Sequence, residues 1–338
     1  MRTILAPARM GVAIIGMVIA CTSATSGSPP SPAAANGSPA SANISGLNAI
    51  SCAAASNCVG VGNQGVIAST HDGGHSWSLD DSGTTNILTA VNCPTTSICL
   101  VVGQLATILH TMDGGSSWSM LTPFSPPRPQ SSLSVSDWLG GITCPSPTVC
   151  YAVGAVGVIW QTSDGGHRWS KQNSGAYGLL NAISCPDPSS CVAVGAGGTI
   201  VSTTSGGATW STQQSGTSST LFSVSCRTTA SCVAVGESGV IVTTTNAGDA
   251  WSTRDGGTAA NLYGVACPAN GCLVVGSMGT VLATTDEALA RWSRRRSGTT
   301  NTLFAVSCPT TTSCFAAGDA VVMTMDAGAT WLVVSSGR

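Results

Sequence analysis

A seven-bladed β-propeller, all-β with four antiparallel strands per blade, is the fold this sequence predicts. Three observations predict it. A unit of about 41 residues recurs seven times, each unit holds four short β-rich runs, and helical periodicity is absent beyond the N-terminus. Units of about 40–45 residues with four strands are the mark of a blade, and seven units give seven blades around one axis.

Cysteine and tryptophan set the beat. The first cysteines are Cys52, Cys93, Cys144, Cys185, Cys226, Cys267 and Cys308, in steps of 41, 51, 41, 41, 41 and 41 residues, so one step carries an insertion of ten. Their partners in spacing are Cys58, Cys99, Cys150, Cys191, Cys232, Cys272 and Cys314, with five residues inside each pair except Cys267/Cys272, which has four. Trp77, Trp118, Trp169, Trp210, Trp251, Trp292 and Trp331 keep the same rhythm. In the fifth copy Leu221–Cys226 is the first β-rich run, Cys232–Gly236 the second, Val240–Thr244 the third, and Trp251–Thr253 begins the fourth. Gly, Ser and Thr turns separate these runs, as short antiparallel strands require. Stacked blades cover both faces of most strands, which calls for small or branched residues rather than charges. The composition agrees, at 43% hydrophobic and 8% charged residues with a single lysine, Lys171. A net charge of −2 argues against nucleic acid, because phosphate binding needs clustered Lys and Arg.

Each cysteine pair admits three chemistries. Zinc sites favour cysteines two to four residues apart in cooperating pairs, and redox sites use Cys-x-x-Cys; neither pattern fits. Two cysteines at the ends of adjacent antiparallel strands fall within disulfide reach, because directly opposed Cα atoms lie about 4.5 Å apart. The expectation is seven disulfides, one per blade, each stabilising by roughly 2 kcal/mol for so short a loop.

Seven disulfides require an oxidising compartment. Arg2 and Arg9 precede an apolar run, Met10 to Ala20, too short to span a bilayer as a stable helix. The run ends Val18-Ile19-Ala20-Cys21, which resembles a bacterial lipobox and implies lipidation at Cys21, the odd fifteenth cysteine. The alternative is an ordinary cleavable signal peptide and a secreted protein. The expected division is a signal peptide over 1–20, a disordered Ser/Pro/Ala/Gly tether over 21–45, and the propeller over 46–338.

Before each tryptophan lies a second motif, as in Asp72-Gly73-Gly74-His75-Ser76-Trp77, Asp113-Gly114-Gly115-Ser116-Ser117-Trp118 and Asp164-Gly165-Gly166-His167-Arg168-Trp169. An Asp at such a turn accepts backbone N–H bonds while glycine takes positive φ. This pattern resembles the Asp box of BNR repeats. Ser205 and Asn246 replace the Asp in two copies, Asp286 sits one residue further from its Trp, and Asp326 keeps its place. The whole repeat, Leu-x-Ala-Val through Val-Gly-x-x-Gly-x-Ile to Thr-x-Asp-Gly-Gly-x-x-Trp, resembles the photosystem II stability/assembly factor-like family of BNR propellers. That resemblance implies a non-catalytic assembly or binding platform, since the photosynthetic members are assembly chaperones for membrane-protein intermediates. The paired cysteines depart from the family pattern.

Asp boxes also occur in sialidases, so the alternative is a carbohydrate-active or carbohydrate-binding protein. Sialidase chemistry needs a Tyr nucleophile, a carboxylate acid and three clamping arginines; the chain has three tyrosines, Tyr151, Tyr177 and Tyr263, and no Arg-Ile-Pro motif. Asp72, Asp113, Asp164 and Asp326 are explained by their turns. No Gly-x-Ser-x-Gly, His-Glu-x-x-His or phosphate loop occurs, so no catalytic residue, metal or cofactor is expected. His71 and His75 straddle a Gly-Gly turn rather than a helical metal face. Two features exceed what a blade requires. The insertion near 123–138 carries Phe124, Arg128 and Trp138, and Arg291-Trp292-Ser293-Arg294-Arg295-Arg296 concentrates four of the twelve basic residues. Both are candidate anchors for a protein or envelope component. The expected molecule is a monomer on the outer side of the membrane, held by its lipid.

Overall fold

The computed structural model describes residues 44–121 and 137–336, all in one compact unit. Seven sheets of four consecutive antiparallel strands make up the propeller. In blade 1 the strands run from the centre outwards as Leu47–Ala54, Asn57–Gly62, Ile67–Thr70 and Ser78–Asp80. The innermost strands of the other blades are Leu88–Asn92, Leu139–Thr143, Leu180–Ser184, Leu221–Cys226, Leu262–Ala266 and Leu303–Ser307. These seven stand side by side around a channel, the last packed against the first.

Second strands such as Cys99–Gly103 and Cys191–Gly195 are buried along their whole length, whereas outermost strands are short and face solvent. The core is therefore not one mass but a set of layers between blades. Val59, Val61 and Ile67 of blade 1 interleave with Leu88, Val91 and Val101 of blade 2, with Trp118 against the layer. Such stacking explains why the strands read as near-continuous apolar runs.

The fifth blade shows where local reading overreached. Its third strand is Ile241–Thr244, not Val240–Thr244. Val240 closes a 3-10 turn instead, donating its N–H to the Glu237 carbonyl at 3.0 Å. Likewise the outermost strand starts at Ser252, because Trp251 turns inward and is only 9% exposed.

All seven disulfides are present, with Cα–Cα separations of 4.0–4.1 Å. Cys52 faces Cys58, and Cys226 faces Cys232, across their ladders. The shorter Cys267–Cys272 loop fits because Gly271 adopts φ +152°, where a Cβ would sit 2.2 Å from the Thr284 carbonyl.

No strand is exchanged to close the ring: the last blade is built from its own four strands. Instead the Gly46 N–H donates to the Gly318 carbonyl at 2.8 Å, and the Cys52 N–H donates to Ser307 Oγ at 3.0 Å. Ile44, Leu47 and Trp77 share one apolar layer with Phe315, Ala317 and Met323.

Candidate functional site

Strand direction divides the turns between two faces. The cysteine loops and Asp boxes share one, the staple face: Gly73 N–H donates to the Ser56 carbonyl at 3.1 Å, and Gly114 N–H to that of Ser97 at 2.9 Å. The 3-10 turns and the blade-to-blade connections share the other, the connection face, where Gln104 N–H donates to the Ile87 carbonyl at 2.9 Å.

On the staple face the Asp-box side chains bond within their own blade, while the Tyr151 hydroxyl and Asn270 Nδ2 donate at 2.9 Å to the Pro188 and Thr311 carbonyls of the next blade. Asp113 Oδ1 accepts from the Ser117 N–H at 2.9 Å and from Thr111 Oγ1 at 2.7 Å, while Oδ2 accepts from Ser117 Oγ at 2.6 Å. The same pattern holds Asp72 and Asp326. Hydrogen bonds from the Ser76, Ser117 and Thr330 hydroxyls hold these three carboxyls at about 2, below the ordinary 3.8. Asp164 Oδ1 accepts from the Arg168 N–H at 2.9 Å. Ser205 and Asn246 take the corresponding bonds from Thr209 and Ala250. In the sixth box Asp286 accepts from the N–H groups of Ala288 and Ala290, and Leu289 takes the left-handed conformation at φ 56°.

The threonine of the repeat's Thr-x-Asp run completes each box. Thr111 Oγ1 donates to Asp113 and accepts the Gly115 N–H at 2.9 Å, and its counterparts Thr70, Thr162 and Thr324 do the same. Its constant place two residues before the Asp was the available signal. His71 Nδ1 pairs with Asn57 and His75 Nδ1 with the Asp72 carbonyl. Among the described residues no three His, Cys, Asp or Glu side chains converge on a metal site.

The channel holds about 400 Å³ and is lined by uncharged residues. Near its staple end the residue before the first cysteine ties adjacent blades. Ser51, Asn92, Ser184, Ser225 and Ser307 each accept the next blade's Cys N–H at 3.0–3.1 Å. At the connection end, the residue after the repeat leucine varies. Asn48 and Asn181 donate their Nδ2 to the Leu88 and Leu221 carbonyls at 2.9 and 2.8 Å. Thr89 donates to that of Leu139 at 2.6 Å. Blades 5, 6 and 7 place Phe222, Tyr263 and Phe304 there, with neighbouring ring centroids 5.3 Å apart.

Trp138 reaches this same mouth. Its ring lies 3.1 Å from where a Cβ on Gly140 would stand, so Gly140 makes room for it. The Trp138 carbonyl accepts the Ala155 N–H at 2.9 Å, joining the connection to the turn that bears Val156. Val156 and Tyr177, both on this sector, are 66% and 91% exposed. Phe124 and Arg128 lie outside the described residues, as does Cys21.

The four arginines line two recesses that share Arg295. Arg291 and Arg295 flank a recess with Asp286 and Trp292. Arg294 and Arg296 lie with Arg295 along another, beside Met278, which is 68% exposed on a connection-face turn.

Residues 45–207, the first three repeats and most of the fourth, match the family model described as photosynthesis system II assembly factor YCF48. Over that stretch the chain carries the repeat of photosystem II assembly factor-like BNR propellers. Solved structures share its fold at low identity. A structure described as YCF48 bound to D1 peptide aligns with TM-score 0.68 and 18% identity, over 85% of this chain and 93% of that one. YCF48 from Cyanidioschyzon merolae gives 0.64 and 17%, over 84% and 96%. The Niastella koreensis GH74 enzyme gives 0.69 and 13%, over 88% of this chain and 55% of its own. No curated protein matches the chain.

Proposed function

We propose that this propeller is a non-catalytic protein-binding or assembly platform, lipid-anchored through Cys21 on the outer side of a bacterial membrane, and that it engages its partner on the connection face. The observation that carries this reading is the exposed apolar sector formed by Val156 and Tyr177 beside half-buried Trp138, with Met278 next to the arginine strand. Aromatic and arginine side chains are the usual anchors of protein interfaces. The YCF48 structure with a bound D1 peptide supports a protein ligand on this fold. The Val18-Ile19-Ala20-Cys21 run and the uncharged stretch after it support the anchor.

Site-specific photo-crosslinkers test the face. Placed at Tyr177 and Met278 in intact cells, they should trap a protein partner, while the same group at Met112 on the staple face should not. Cross-links from Met112 alone would assign binding to the wrong face. In the same strain Cys21→Ala should move the protein from membranes to the medium; unchanged membrane association would remove the anchor from the reading.

A further inference from the structure

The connection-face mouth of the channel is divided chemically in a way no blade requires. On one side the rings of Phe222, Tyr263 and Phe304 form a continuous crescent, each partly open to the channel. At the two ends of that crescent, in blades 4 and 1, stand Asn181 and Asn48, whose Nδ2 groups donate to backbone carbonyls of the next blade, that of Asn48 also to Asn63 Oδ1. Their Oδ1 atoms are left as acceptors. The Tyr263 hydroxyl accepts from Asn261 Nδ2 at 3.3 Å, which leaves its O–H to donate. Among the described residues, those lining the channel carry no charge.

These groups select a ligand by elimination. A charged molecule would lose its hydration and find no counter-charge among the described residues lining the channel, a penalty that disfavours anions, cations and charged chain termini there. A wholly apolar ligand would cover the Asn48 and Asn181 oxygens without bonding them, and a buried acceptor left unpaired is costly. What satisfies both sides has one C–H face and several hydroxyl groups, each able to donate to an amide oxygen and accept from a phenol. Aromatic faces carry negative charge density and attract polarised C–H edges. We propose that this mouth binds one neutral saccharide unit, its C–H face on Phe222, Tyr263 and Phe304 and its hydroxyls on Asn48, Asn181 and Tyr263. The channel volume, about 400 Å³, lies in the ~300–1,000 Å³ range of small-molecule sites. The site stands apart from protein binding by Tyr177 and Met278, so either can fail alone.

The test titrates the full oxidised protein with glucose, galactose, N-acetylglucosamine, maltose and cellobiose, read by saturation-transfer NMR and calorimetry. At least one sugar should receive saturation on its ring C–H protons. Phe222→Ala and Phe304→Ala should weaken that sugar at least tenfold, and Tyr263→Phe several-fold without lowering the melting temperature. Phe304→Leu, which keeps the volume and removes the ring, serves if the alanine variants do not fold. No response to any sugar of the panel overturns the proposal, and so does undiminished binding by folded variants lacking the rings. A response only to the neutral peptide acetyl-Pro-Leu-Ala-amide, lost in Phe222→Ala, would assign the mouth to polypeptide and equally overturn it.

Discussion

The two faces of this propeller spend their residues differently. On the staple face the cysteines bridge and the box residues bond one turn within a blade, while the tryptophan fills the seam to the neighbouring blade and the residue before the first cysteine ties the two together. Substitutions there, as at Ser205 and Asn246, preserve the bonds. The connection face keeps an equally constant backbone, but the side chains on it drift from Asn48 and Thr89 to Phe222 and Phe304. What is repeated builds each blade and its seams, and what departs from the repeat gives one mouth of the channel a chemistry of its own.

The sharpest way to break that contrast is to attack the constant backbone of the variable face. Gly198 holds φ +72°, and a Cβ there would lie 2.0 Å from the Thr217 carbonyl. Gly198→Ala should lower unfolding stability by about 3 kcal/mol or more, read from denaturant midpoints. An unchanged midpoint would mean that the connection-face turns are not fixed by their backbone. Next in size is a single staple. Cys226→Ala with Cys232→Ala should cost about 2 kcal/mol and leave the other six bridges intact by non-reducing peptide mapping. A larger loss, or reshuffled bridges, would show that the staples act together rather than blade by blade.

The smallest effect concerns the Asp boxes. Asp72, Asp113 and Asp326 are held at about 2 against an ordinary 3.8. A depressed carboxyl stabilises the folded state above its unfolded value, and that stabilisation fades as pH falls from about 4 to about 2. Melting temperature should drop across that window, and Asp113→Asn should drop less steeply while starting lower. Identical pH profiles would remove Asp113 from the account.

Much of the fold was legible because its determinants are local. Cys226 and Cys232 sit on one hairpin, and Asp113, Thr111 and Ser117 on one turn, so spacing alone places them within reach of each other. The boundaries failed by one residue at Val240 and Trp251, where a turn's own hydrogen bond or a side chain's burial outweighed β propensity. The candidate site was less legible. Trp138 stood out as part of an insertion, but nothing in its neighbourhood announced that Gly140 would yield space for its ring. The four arginines read as one cluster, and the structure spreads them along two recesses that share Arg295.

By itself, then, the sequence determined the number of blades, the pairing of cysteines and the chemistry of the boxes, since each is settled within one unit of about 41 residues. The tertiary structure alone decided how the ring closes and what meets at its centre. Phe222, Tyr263 and Phe304 are 41 residues apart along the chain, and each reads as an ordinary strand residue in its own blade. They become one surface because equivalent positions of adjacent inner strands converge on a common axis, a relation that exists only once seven sheets have packed into a circle.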